Sequence, residues 1–179
     1  MDINQNQIRF QFTMNLEEAT KQITLEYIKT GCIGYHKLLK YINGDMKGNL
    51  DLSNTKVSYI PKGLTVGGVL DLGYTPITSL PKGLKVGGNL NLHNTRITSL
   101  PKDLKVGGAL YLRNTPITTL PEGLRVGGYL VLYKLPITTL PEGLVVGGYL
   151  DLRNTPISKK YNREQLIQML PNVKGKIYI

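Results

Sequence analysis

At 179 residues, 41% of them hydrophobic, the chain has room for one ordinary domain or a short repeat array with caps, and not for a separate catalytic domain. No Trp and only two Phe leave an aliphatic core, and the single Cys excludes an internal disulfide framework. The net charge of +10 is spread along the chain, with six basic and five acidic residues in 1–47, eleven and six in 48–158, and five and one in 159–179.

Residues 1–47 read as an N-terminal cap. The start, "MDINQNQIRFQF", lacks the basic stretch and apolar run of a secretory signal, and no segment approaches the roughly 20 apolar residues of a membrane span. With one cysteine as well, the expectation is a soluble monomer in the cytoplasm of the producing cell or of a host, with no membrane partner. In "IRFQF" the alternation of Ile8, Phe10 and Phe12 predicts a short strand against the first repeat. "NLEEATKQITLEYIKTG" predicts a helix capped at Asn15, with acids in its first turn and a stop at Gly31. A second short helix is expected in "YHKLLKYING". Cys32 and His36 stand four apart, but two ligands do not make a metal site, and the other histidine, His93, falls in a strand of the third repeat. No base and orienter accompany the thiol, so no nucleophile, metal, cofactor or enzymatic activity is predicted.

From residue 48 the chain repeats every 20 residues: "GNLDL" at 48, "GVLDL" at 68, "GNLNL" at 88, "GALYL" at 108, "GYLVL" at 128 and "GYLDL" at 148. A fixed period of this length defines the architecture before local propensity does. Paired leucines such as Leu90 and Leu92 point one way and Asn91 the other, which describes a short strand with one core face. A 20-residue return to the same end requires parallel stacking. Pro81, Pro101, Pro121 and Pro141 forbid a long helix on that return, so Leu80, Leu84 and Val86 reach the core from an extended segment. Glycine pairs such as Gly67-Gly68 lead back into each strand. They are followed by strand, never by a helix and a lysine, so they are architectural and not a phosphate loop. Thr55, Thr75, Thr95, Thr115 and Thr155 predict a hydroxyl ladder bonding the turn and neighbouring units. Leu135 interrupts it, which predicts an altered turn in the fifth unit.

The pattern L-x-L-x-x-T-x-I-x-x-L-P, as in "LNLHNTRITSL" followed by Pro101, resembles the leucine-rich repeat. Its 20-residue length resembles the short class found in type III-secreted bacterial effectors and in bacterial and phage proteins. Over 48–158 the resemblance implies a right-handed parallel-β coil with an extended convex side, serving as a scaffold that presents surfaces. It carries no ubiquitin-ligase activity over, because only 21 residues follow the repeats.

In 159–179, "NREQLIQMLP" predicts a helix with Asn162 and Gln165 at capping-box spacing, ending at Pro171. "VKGKIYI" then predicts a last strand with Gly175, Ile177 and Ile179 in register with the repeats, 27 residues after the sixth.

Between units the core positions stay constant while the open face varies. Tyr111, Tyr129, Tyr133 and Tyr149, with Arg113, Asp151 and Arg153, form the candidate protein-binding site, since Tyr and Arg dominate binding hot spots. Stacked in parallel, the four rings are expected to make one patch, with both arginines available to an acidic group. The resulting expectation is a non-enzymatic module that binds a partner protein, such as a host-directed effector or inhibitor. The alternative is nucleic-acid or polyanion binding through two basic columns, Lys62, Lys82 and Lys102, and Lys85, Lys105 and Arg125. Aromatic residues for base stacking are not interleaved there, which favours the first reading.

Overall fold

The computed structural model describes residues 5–44 and 47–179, and for 5–16 the backbone alone. The chain forms a parallel-β solenoid with helices at both ends. Its front sheet has seven parallel strands, at Leu50–Asp51, Leu70–Asp71, Leu90–Asn91, Leu110–Tyr111, Leu130–Val131, Leu150–Asp151 and Ile177–Tyr178, stacked in chain order. The first six, spaced 20 residues apart, mark five full turns. Leu150 pairs with Ile177, so the last strand lands in register 27 residues on.

A second sheet of five parallel strands runs along the return side, at Thr65–Val66, Lys85–Val86, Lys105–Val106, Arg125–Val126 and Val145–Val146. Each contributes one inward valine and one outward residue. Two residues are too few to display a period, which is why the sequence reads there only as extended.

Between the sheets, the paired leucines of the front strands, the Val57–Ile77–Ile97–Ile117–Ile137–Ile157 column, and the return-side leucines and valines form one continuous aliphatic core. Close stacking depends on the glycine pairs. The Gly88 amide donates to the Gly68 carbonyl at 2.9 Å and the Gly108 amide to the Gly88 carbonyl at 2.9 Å. A Cβ on Gly107 would run into the carbonyl oxygen of Gly87, so at this seam backbone meets backbone.

Each front strand ends in a tight turn. Thr75 closes one twice on the Leu72 carbonyl, through its amide (3.3 Å) and its hydroxyl (2.6 Å). Thr95, Thr115 and Thr155 do the same. The threonine hydroxyls thus serve their own turn and not the neighbouring one. The fifth turn is not altered: Leu135 keeps the amide bond to Leu132 at 3.1 Å and is buried, because the backbone closes the turn and the hydroxyl only reinforces it.

At the N-terminal end, helix α1 spans Gln5–Thr30 and helix α2 spans Ile33–Asn43. The strand expected at "IRFQF" is absent, and Asn15 lies inside α1 instead of capping it. No Pro or Gly occurs between residues 5 and 30, so nothing breaks the helix, and three alternating apolar residues are too few to impose a strand. Helix α2 closes the first turn of the solenoid. Gly34 packs against Thr55 and Val57, and a side chain there would overlap both. The Tyr41 hydroxyl accepts from the Gly67 amide (3.3 Å), replacing the carbonyl that serves later turns, as Val66 serves Gly87 (2.7 Å).

At the other end, helix α3 spans Pro156–Lys160 and helix α4 spans Arg163–Met169. Asn162 and Gln165 form the reciprocal capping box expected of them. Leu166 of α4 is fully buried against the last turn.

Candidate functional site

Strand alternation turns every second residue of the front sheet outward, and parallel register lines these residues into three columns. The middle column runs Asp51, Asp71, Asn91, Tyr111, Val131, Asp151 and then Tyr178. Toward the C-terminal half the face sinks into a concavity of about 590 Å³, lined by Tyr111, Arg113, Val131, Tyr133, Tyr149 and the Asp151–Arg153 pair, with Asn91 and His93 at its rim. Six of the seven protein-binding residues read from the sequence therefore line one hollow. Tyr129, 44% exposed, stands outside its lining.

The tyrosines do not form one four-ring patch. Tyr129 and Tyr149 stack at 4.0 Å with ring planes 16° apart, and Tyr149 meets Tyr178 edge-on at 5.4 Å. Tyr178 thus joins the ladder, although sequence reasoning missed it; the signal was available in the register of "KIYI" against "YLDL". Tyr133 has cations for neighbours instead: Arg113 4.9 Å, Lys134 5.3 Å and Arg153 5.9 Å from its ring centre. Burial, reinforced by the neighbouring Tyr111 and Tyr129 phenols, raises the Tyr149 pKa above the ordinary tyrosine value.

The two arginines differ. Arg153 donates to Asp151 through Nε (2.9 Å) and Nη2 (2.7 Å), a two-pronged pair on a carboxylate that is only 4% exposed. The hydrogen bond and charge of Asp151 raise the Arg153 pKa further. Arg153 is therefore occupied, contrary to the expectation that both arginines are available. Residues two apart on a strand share a face, so the pairing was legible in the sequence. Arg113 is exposed and has no acidic partner among the described residues.

The basic columns lie elsewhere. Lys85 pairs in register with Lys105, and Arg125 continues the line on the next strand of the return-side sheet. Lys62, Lys82 and Lys102 occupy the preceding turn, and all six are exposed. A shallow groove of about 550 Å³ runs beside Lys102, Lys105 and Arg125.

Among the described residues, no group of three or more His, Cys, Asp or Glu side chains gathers as a metal site would require, and no helix is long and apolar enough to cross a membrane. Cys32 is buried beneath the N-terminal cap. No family model matches the chain, and no curated protein matches it at a significant level. Its own geometry is what speaks for its function.

Proposed function

We propose that the protein is a non-enzymatic binding module that holds a partner protein against the outward face of its front sheet, with repeats of the leucine-rich type. One observation carries this reading. The Tyr129–Tyr149–Tyr178 ladder lies beside a hollow walled by Tyr111, Tyr133 and Arg113 on a face that the core does not use. Aromatic rings bury large areas with few rotatable bonds and keep a hydroxyl for hydrogen bonding, the properties of binding hot spots. The protein works as a monomer in a reducing cytoplasm, its own or a host's, as an effector or inhibitor. The buried single thiol suits that setting.

The second reading, polyanion binding, draws on the in-register cations Lys85, Lys105 and Arg125, none of which has an ion-pair partner among the described residues. The two readings separate in one experiment. Partner capture is compared for the wild type, the pair Tyr129→Ala with Tyr149→Ala, and the pair Lys82→Ala with Lys102→Ala, each across a salt series. Hot-spot loss of about 2 kcal/mol or more is expected for the tyrosine pair, with near-neutral lysines. Neutral tyrosines, together with lysine-dependent binding that falls steeply with salt, replace the first reading by the second.

A further inference from the structure

The middle column of the front sheet has a repeated internal hydrogen bond. In four turns an Asp or Asn side chain accepts from the backbone amide two residues on: Asp51 from Ser53 (2.9 Å), Asp71 from Gly73 (2.8 Å), Asn91 from His93 (3.2 Å) and Asp151 from Arg153 (3.1 Å). In the two turns between, the column holds Tyr111 and Val131, which cannot make this bond, and the amides concerned are those of Arg113 and Tyr133. Neither amide has a hydrogen-bond partner among the described residues. They occupy equivalent positions on adjacent strands, about 4.8 Å apart, beside the one unpaired guanidinium of the hollow.

Val131 is the only aliphatic residue in this column. Tyr129 and Tyr133 flank it along its own strand, with Tyr111 on one side and Asp151 on the other. It thus forms a low apolar floor among tall walls.

From this the geometry points to a notch that receives an acidic side chain of the partner together with an adjoining apolar group. This inference rests on the front-face reading and names what that face recognises. The carboxylate supplies from outside the acceptor that four turns carry themselves, taking the Arg113 and Tyr133 amides and the Arg113 guanidinium. The apolar group rests on Val131 between the tyrosine rings. Asp151 neutralises Arg153, which leaves one net positive charge at the notch. That balance suits a monoanionic carboxylate, and charge-assisted bonds from a guanidinium and amides are strong ones.

The test uses 3-phenylpropanoate as the probe, with 3-phenylpropylamine and propanoate for comparison, titrated into isotope-labelled protein and followed by NMR. Before any addition, the Arg113 and Tyr133 amides exchange faster than those of Gly73, His93 and Arg153. The probe shifts those two amides and the Val131 methyls, and binds about tenfold more tightly than either comparison compound. Val131→Asn copies Asn91, supplies the missing acceptor without adding charge, and removes probe binding. Arg113→Gln leaves the aromatic contact but abolishes the preference for carboxylate over amine. Equal binding of the amine and the carboxylate by the wild type overturns the inference, as does probe binding undiminished in Val131→Asn. A protein partner that tolerates Val131→Asn but not the Tyr129/Tyr149 double change overturns the notch while leaving the front-face reading in place.

Discussion

Lys134 shows how a single position reports the repeat. Six residues at the same place in successive turns adopt the left-handed conformation: Asn54, Tyr74, Asn94, Asn114, Lys134 and Asn154, with φ between 54° and 60°. Asn tolerates this region because its short amide bonds locally, whereas a lysine or tyrosine carries the full crowding of its Cβ. Lys134→Asn should therefore stabilise the protein by about 0.5–1 kcal/mol, read as a raised denaturant midpoint at unchanged slope. No change would mean that the turn, not the residue, sets the strain. Tyr149 gives a second single-residue expectation. Its folded pKa lies above the unfolded value near 10, so the native state holds its proton more tightly. Its contribution is complete below about pH 10 and is lost as pH rises through the folded pKa. Absorbance titration should show one late phenol that disappears in Tyr149→Phe. The recurring Asn was visible in the sequence, but its conformation was not, because a repeated polar residue after a strand suits a ladder, a surface or a turn equally well.

For the strands, inward and outward positions differ less cleanly than alternation suggests. Leu110 is fully buried, and Leu110→Ala should cost about 2–5 kcal/mol. Asn89, outward on the preceding strand, accepts from the Ala109 amide at 2.8 Å and so ties two turns together. Asn89→Ala should then cost about 0.5–1.5 kcal/mol, more than a free surface residue. Equal costs at the two positions, measured in denaturant melts, would reverse the assignment of faces. The front strands, the last strand and the α4 capping box were legible because each carries a pattern several residues long: Leu-x-Leu, Ile-x-Ile in "IYI", and Asn-x-x-Gln. The second sheet and the true start of α1 were not. Lys85-Val86 offers a single alternation, and a helix start unmarked by proline or glycine leaves no edge to read. The site was legible in part. The column listing Asp51, Asp71, Asn91, Tyr111, Val131 and Asp151 already contained the change at Tyr111 and Val131. Its meaning depended on knowing that the acids and amides bond the amide two residues along.

Across the whole molecule, both end turns need covers because each sheet ends in leucines and backbone groups that an inner turn would satisfy. Removal of residues 159–179 strips Leu166 and Ile177 from the last turn and should produce aggregation or loss of cooperative unfolding. A monomeric truncation with an unchanged melt would show that the sixth turn is self-sufficient. The glycine seam has a different consequence. Since Gly68, Gly88, Gly108, Gly128 and Gly148 meet their neighbours backbone to backbone, every junction between turns is chemically the same joint. Excision of 20 residues, such as 68–87, rejoins like to like, whereas excision of 19 rotates each later leucine out of the interior. The gene can therefore gain or lose whole turns while the hollow at Val131 passes unchanged, so the reach of the face can evolve separately from what it grips.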